Sequence, residues 1–207
     1  MSIQKNLKTS STGDMIKGKQ PVLTGSVSNS VGVVPEKPPG KHWELPPIGW
    51  VKLNCDGSVK LEDGSAGAGM VHRDENGHII FSACRQLLNC SDPLEAKSMA
   101  CEEGLRLTMQ MSDSPITVEL DCSILVDAIK EKNQDRSSVA HLISEIRDMF
   151  NSNRVISFVK VDRMQNRVSH CLANLARTEA RIAVWLGSGP EVLSQVFAQD
   201  LLVIPVA

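Results

Sequence analysis

The chain has 207 residues, 42% hydrophobic and 22% charged, with no Tyr, 3% aromatic residues and a formal net charge of −2. That length suits one domain of roughly 130 to 150 residues plus flanking segments rather than two full domains, with a core of Val, Ile, Leu, Ala and Met. The near-neutral charge excludes a surface that attracts polyanions everywhere, though a local basic stripe can still bind nucleic acid, and no apolar run approaches the ~20 residues that span a bilayer.

The charge is uneven. Residues 1–49 carry six Lys against Asp14, Glu36 and Glu44, a net of +3, which leaves −5 for residues 50–207. Six cysteines (Cys55, Cys84, Cys90, Cys101, Cys122, Cys171) form no C-x-x-C pair and no zinc-ligand spacing, and no hydrophobic signal peptide precedes them. They read as reduced thiols of an intracellular protein, nuclear or cytoplasmic, with organelle import left open.

Residues 1–42 are rich in Ser, Thr, Lys, Gly and Pro and end near Pro35-Glu36-Lys37-Pro38-Pro39-Gly40, a disordered lead and linker. A folded domain is expected over 43–182. Val51, Leu53 and Cys55 alternate with Lys52, Asn54 and Asp56, predicting a first strand that ends at Asp56, with Gly57-Ser58 starting a turn. Residues 67–73 predict a second strand, Asp74-Glu75-Asn76-Gly77 a hairpin turn and residues 78–83 a third strand, so strands one to three form an antiparallel meander.

Asp92-Pro93-Leu94-Glu95 has the form of a helix start, with the helix running through Met109. A fourth strand follows over 116–121, helices over 123–132 and 137–150, a fifth strand over 155–160 and a helix from Asn166 to Arg181. Residues 183–207 are read as a tail. Crossover helices place later strands parallel to earlier ones, so the expected fold is α/β: a five-stranded mixed sheet flanked by helices. If strand four lies beside strand one, Asp56 and Asp121 project side by side from central strands, where open α/β sheets place ligands.

Asp56, Glu95 and Asp121 each sit at an element end where an acidic group is costly unless a cation compensates, which reads as a metal site. Each also has a plainer reading: a turn cap for Asp56, a capping-box partner of Asp92 for Glu95, and a helix N-cap for Asp121.

The segments Lys52-Leu53-Asn54-Cys55-Asp56-Gly57-Ser58, Ala66-Gly67-Ala68-Gly69-Met70-Val71-His72-Arg73-Asp74, Glu95-Ala96, Glu119-Leu120-Asp121-Cys122-Ser123 and Asn166-Arg167-Val168-Ser169-His170 resemble the type 1 ribonuclease H domain, most of all the plant versions related to retrotransposon reverse transcriptases. The resemblance implies an endonuclease that hydrolyses the RNA strand of an RNA–DNA hybrid with two Mg²⁺ ions, for which Mn²⁺ can substitute. Its four-acid set maps onto Asp56, Glu95 and Asp121 as catalytic and metal-binding residues. His170 stands in the fourth acidic position, a ligand better suited to Mn²⁺ or Zn²⁺ than to Mg²⁺.

Contacts to the hybrid are expected from Gly57 and Ser58 at a ribose 2′-hydroxyl, from Arg73, Lys97, Arg163 and Arg167 at phosphates, and from Asn166. A monomer is the default. The competing expectation is a domesticated retroelement remnant that binds nucleic acid or a partner protein without cutting, which His170 and the acidic body favour.

Overall fold

The computed structural model describes residues 41–90, 92–131, 137–150 and 154–201. The expected lead and linker up to residue 40, residues 132–136 and the last six residues lie outside these.

Alternation builds the first three strands, and glycines at positive φ turn them. Gly64 (φ 68°) leads from β1 (Val51–Lys60) into β2 (Ser65–Arg73), and Gly77 (φ 82°) from β2 into β3 (Ile79–Leu87). Both pairings are antiparallel. Helix α1 (Pro93–Met111) starts as its sequence predicts, with Pro93 in the first turn and the Asp92 carboxylate accepting from the Leu94 and Glu95 amides. It leads to β4 (Ile116–Leu120), which pairs parallel to β1 from Val51–Ile116 to Asn54–Glu119. Two short helices, α2 (Ser123–Lys130) and α3 (Ala140–Phe150), connect to β5 (Ile156–Lys160), parallel to β4. Helix α4 (Arg167–Glu179) then packs on β1 and β2.

Two expectations are corrected. The first strand does not end at Asp56: β1 continues to Lys60 because β2 pairs with it along its whole length, whereas pairing with β4 stops at Asn54. Gly57 and Ser58 therefore lie in a strand, not a turn. Among the described residues the sheet also has six strands where five were expected, in the order β5-β4-β1-β2-β3-β6. Ala180 ends α4 in the left-handed region (φ 50°, ψ 40°), and Ile182–Leu186 returns as β6, antiparallel to β3. Ala183 and Trp185 pack with Val71, Cys84, Leu172 and Phe197, while Ile182, Val184 and Leu186 stay exposed. Phe197 comes from α5 (Ser194–Leu201), so the segment read as a tail contributes to the core as far as residue 201.

The main core lies between the sheet and α1 to α3: Leu53, Met70, Phe81, Leu105, Ile116, Val118, Leu125 and Ile143 are buried there. On the opposite face, α4 approaches the sheet at contact distance because β2 presents glycines. A Cβ at Gly69 would stand 2.2 Å from the Ser169 carbonyl oxygen, and one at Gly67 2.4 Å from that of Ala173. Gly69→Ala should therefore lift α4, at a cost of about 1–3 kcal/mol. Urea unfolding checks this, with a lower midpoint at unchanged m expected; an unaltered midpoint would show that α4 yields freely.

A polar layer runs through the same face. Lys52 Nζ pairs with Glu119 Oε1 at 2.7 Å and donates to the Glu44 carbonyl at 2.6 Å. Asn54 Nδ2 donates to Glu119 Oε2 at 2.8 Å, and Asn54 Oδ1 accepts from Trp43 Nε1 at 3.0 Å. Lys52, Asn54, Glu119 and Trp43 are all buried and partnered, which makes burial of the charges tolerable. Arg73 is buried too, stacked 4.3 Å from the Trp43 ring centroid and paired with Asp200 of α5 at 3.0 Å. All six cysteines are free, and burial pushes the Cys101 thiol up to about 12. Among the described residues no helix is long and apolar enough to cross a membrane.

Candidate active site

Asp56 and Asp121 meet because β1 and β4 are parallel neighbours and β4 stops first. Asp56 lies two residues beyond the last β1–β4 pair, and Asp121 is the first residue after β4. Asp121 does not cap α2, whose N-cap is Cys122 without a side-chain bond. Both carboxylates instead converge on one ammonium: Lys97 Nζ donates to Asp56 Oδ1 and, at 2.6 Å, to Asp121 Oδ1. Lys97 reaches them from α1, whose first turns lie against β1 where Gly57 has no side chain; a Cβ there would stand 2.5 Å from the Lys97 amide nitrogen. Burial pulls the Lys97 pKa down, but the two carboxylates outweigh it and hold the ammonium above its ordinary value.

The other Asp56 oxygen, Oδ2, faces His170 Nδ1 at 2.7 Å. His170 is tied in turn to Asn174, whose Nδ2 stands 3.0 Å from His170 Nε2. Asn174 Oδ1 accepts from the Ser58 hydroxyl at 2.7 Å and from Arg177 Nη2 at 3.4 Å, and Ser58 Oγ accepts from Arg177 Nε at 2.9 Å. The direction of this chain follows from its end: a guanidinium can only donate, so Asn174 presents its oxygen to Ser58 and Arg177 and its amide hydrogens to His170. Nε2 then accepts, and Nδ1–H donates to Asp56. A ¹⁵N NMR spectrum of the His170 ring should show a protonated Nδ1 and a bare Nε2; the opposite tautomer would break this assignment. Burial raises the Asp56 pKa, but the His170 hydrogen bond and the Lys97 charge overcome it and leave the carboxyl below its usual range.

The remaining sequence-predicted residues are placed as follows. Glu95 is half-buried in the first turn of α1 and interacts with the Cys90 thiol, which burial, then the Glu95 charge, push up to about 11. Among the described residues no group of three or more His, Cys, Asp or Glu side chains is placed to hold a metal ion, so here Glu95 does not complete a cage with Asp56 and Asp121. Asn166 is buried: its Nδ2 donates to the Cys55 carbonyl at 2.9 Å and its Oδ1 accepts from Asn54 and Ser169. Arg73, buried against Trp43 and Asp200, is shut off from the surface where a phosphate would approach. Arg167 donates to Gln199 at 2.7 Å, and Arg163 is exposed. Sequence reasoning missed Asn174 and Arg177, although their spacing of four and seven from His170 places all three on one helical face.

The donor set suits a hard divalent cation in part. Two carboxylate oxygens from adjacent strands already converge on one positive charge, while His170 offers no free lone pair in this hydrogen-bond pattern.

Comparison with known proteins agrees with this geometry. Residues 54–176 match a family described as reverse transcriptase-like. An Arabidopsis thaliana protein that bears a ribonuclease H name is 26% identical over 160 residues, 77% of this chain and 26% of that protein, so the chain spans about a quarter of that relative's length. RNase H1 from the halophilic archaeon Halobacterium salinarum superposes with a TM-score of 0.58 at 18% identity, covering 63% of this chain and 99% of that one. LC11-RNase H1, in complex with an RNA/DNA hybrid, gives 0.56 at 21% identity, covering 63% and 98%. The family match over residues 54–176 shows that the chain belongs to the reverse transcriptase-like family, and the solved structures show that its α/β sheet, with Asp56 and Asp121 at the β1–β4 boundary, has the ribonuclease H-like fold.

Proposed function

We propose that this protein is a metal-dependent endoribonuclease that cuts the RNA strand of RNA–DNA hybrids, leaving 5′-phosphate and 3′-hydroxyl ends. The observation that carries the reading is the convergence of Asp56 and Asp121 on one cationic point in a fold whose neighbour LC11-RNase H1 is described in complex with an RNA/DNA hybrid. Two divalent ions, when bound, would supply an activated water and charge stabilisation at the leaving 3′ oxygen.

The chain's own residues supply the rest. Asp56 and Asp121 offer the oxygens, and Glu95, in the first turn of α1, would become the third donor only once its side chain turns toward them. His170 holds the Asp56 carboxylate in place through Nδ1–H, so it acts as a positioning residue for Asp56. Ser58 and Arg177, at the far end of the same hydrogen-bonded line, and the exposed Arg163 would meet the hybrid backbone. With −5 on residues 50–207, affinity for the hybrid should be modest and fall steeply with salt.

A second reading, a nucleic-acid-binding or protein-interaction module without cleavage, draws on His170 in the fourth acidic position and on the −5 charge of residues 50–207. The deciding test is cleavage of a labelled RNA annealed to DNA, beside DNA–DNA and RNA–RNA duplexes, with Mg²⁺ and separately with Mn²⁺. Cutting confined to the hybrid supports the nuclease. An intact hybrid with both metals, from folded protein, supports the binding module.

A further inference from the structure

We infer that Lys97 is a built-in counter-cation that competes with a divalent metal ion for Asp56 and Asp121, and that it must leave both carboxylates before that metal can bind. The inference rests on the proposed metal-dependent function and concerns a step that comes before it.

The argument begins with position. Lys97 is two residues after Glu95, so its side chain leaves α1 roughly 200° around the helix from that of Glu95. The glycine at 57 lets the α1 backbone press onto β1, which brings the lysine within reach of the strand ends. Its Nζ donates to Asp56 Oδ1 and Asp121 Oδ1 together, and the side chain is only 19% exposed. Asp56 and Asp121 are 1% and 11% exposed, so their mutual repulsion is weakly screened by solvent. One ammonium between them offsets that repulsion.

A divalent ion would need the same oxygens. Carboxylate oxygens lie 2.0–2.1 Å from Mg²⁺, and an ammonium 2.6 Å from Asp121 Oδ1 fills that coordination space with like charge. The two cations therefore exclude one another, and the apparent dissociation constant for the metal is the intrinsic one divided by the fraction of molecules in which Lys97 has swung away. Once released, the ammonium remains tethered beside the carboxylates, where a nucleic-acid phosphate would approach. The sequence expectation that Lys97 meets a phosphate then describes the second of its two positions.

Two measurements on the full chain test this. Calorimetric titration with Mg²⁺ alone should show about tenfold tighter binding for Lys97→Met than for the natural chain. Lys97→Gln, which keeps a hydrogen-bond donor without the charge, serves if the Met variant does not fold. In the unsubstituted protein, acetylation of Lys97 by a water-soluble acylating reagent, read by mass spectrometry, should accelerate severalfold when Mg²⁺ is added, because the released amine is exposed. Equal Mg²⁺ affinity in variant and natural chains, or Lys97 acetylation unchanged or slowed by Mg²⁺, overturns the competition while leaving the nuclease reading intact. Failure of Mg²⁺ to bind any of these proteins overturns both. Competition without hybrid cleavage supports the role of Lys97 and overturns only the nuclease reading.

Discussion

Asp56→Asn is expected to abolish hybrid cleavage, lowering the rate by a thousandfold or more, on the order of 4 kcal/mol in transition-state stabilisation. Both oxygens of Asp56 are acceptors here, Oδ1 from the Lys97 ammonium and Oδ2 from His170 Nδ1–H. An amide retains one acceptor. Turned toward Lys97, its NH₂ would face another donor; turned toward His170, it would require the imidazole to change tautomer and place Nε2–H against the Asn174 amide. Either way a hydrogen bond is lost at a nearly buried position, and the negative charge that a metal requires is gone. Hybrid binding, which depends on phosphate contacts elsewhere, should persist or strengthen as a negative charge is removed. Parallel cleavage and binding assays check this, and a variant that still cuts at the natural rate would remove Asp56 from the chemistry.

The second large effect is on stability at mildly acidic pH. His72 is completely buried, stacks edge-on against Phe81 at 5.2 Å, and has no hydrogen-bond partner for either ring nitrogen among the described residues. Burial, helped by the positive charge of Arg154 and opposed by Asp74, lowers its pKa from 6.5 to about 4. The folded state therefore holds the neutral ring, whereas the unfolded chain takes up a proton near 6.5. The stabilisation is present in full above about pH 6.5 and is lost as pH falls toward 4, by about 3 kcal/mol in total. Asp56, held below its ordinary 3.8, loses its contribution only at lower pH, so the two effects separate. Urea unfolding at about pH 7.5 and about pH 4.5 should show this loss in the natural chain and much less of it in His72→Leu. An equal loss in both would assign the acid sensitivity to other groups.

The sequence made the paired aspartates legible because their meeting depends only on strand order, and a helix-linked crossover makes β1 and β4 parallel neighbours. The start of α1 was equally legible, since Asp92 and Pro93 act within one turn. What the sequence hid involves reach across the fold. Lys97 looks like a surface lysine on α1 until the absence of a side chain at Gly57 brings that helix down onto β1. Arg73 looks like a phosphate contact until Asp200, 127 residues further along, arrives to neutralise it. Strand β6 was missed because Ile182-Ala183-Val184-Trp185-Leu186 is wholly apolar in sequence and shows no alternation; only packing separates Ala183 and Trp185 from the exposed Ile182, Val184 and Leu186. His170, Asn174 and Arg177 shared a helical face in plain view, yet their connection to Asp56 required the glycine-lined approach of α4.

The buried guanidinium of Arg73 has one more consequence. Its stacking partner, Trp43, lies before the segment shared with the family, residues 54–176, and its counter-charge, Asp200, lies after it. A fragment trimmed to the shared segment would keep every carboxylate of the site but strand a cation in the interior without ring or anion, and would bare the edge of β3 that β6 covers. The stretch that the family match covers is therefore shorter than the stretch that must fold as one cooperative unit, and Trp43 and Asp200 work as a clasp around it.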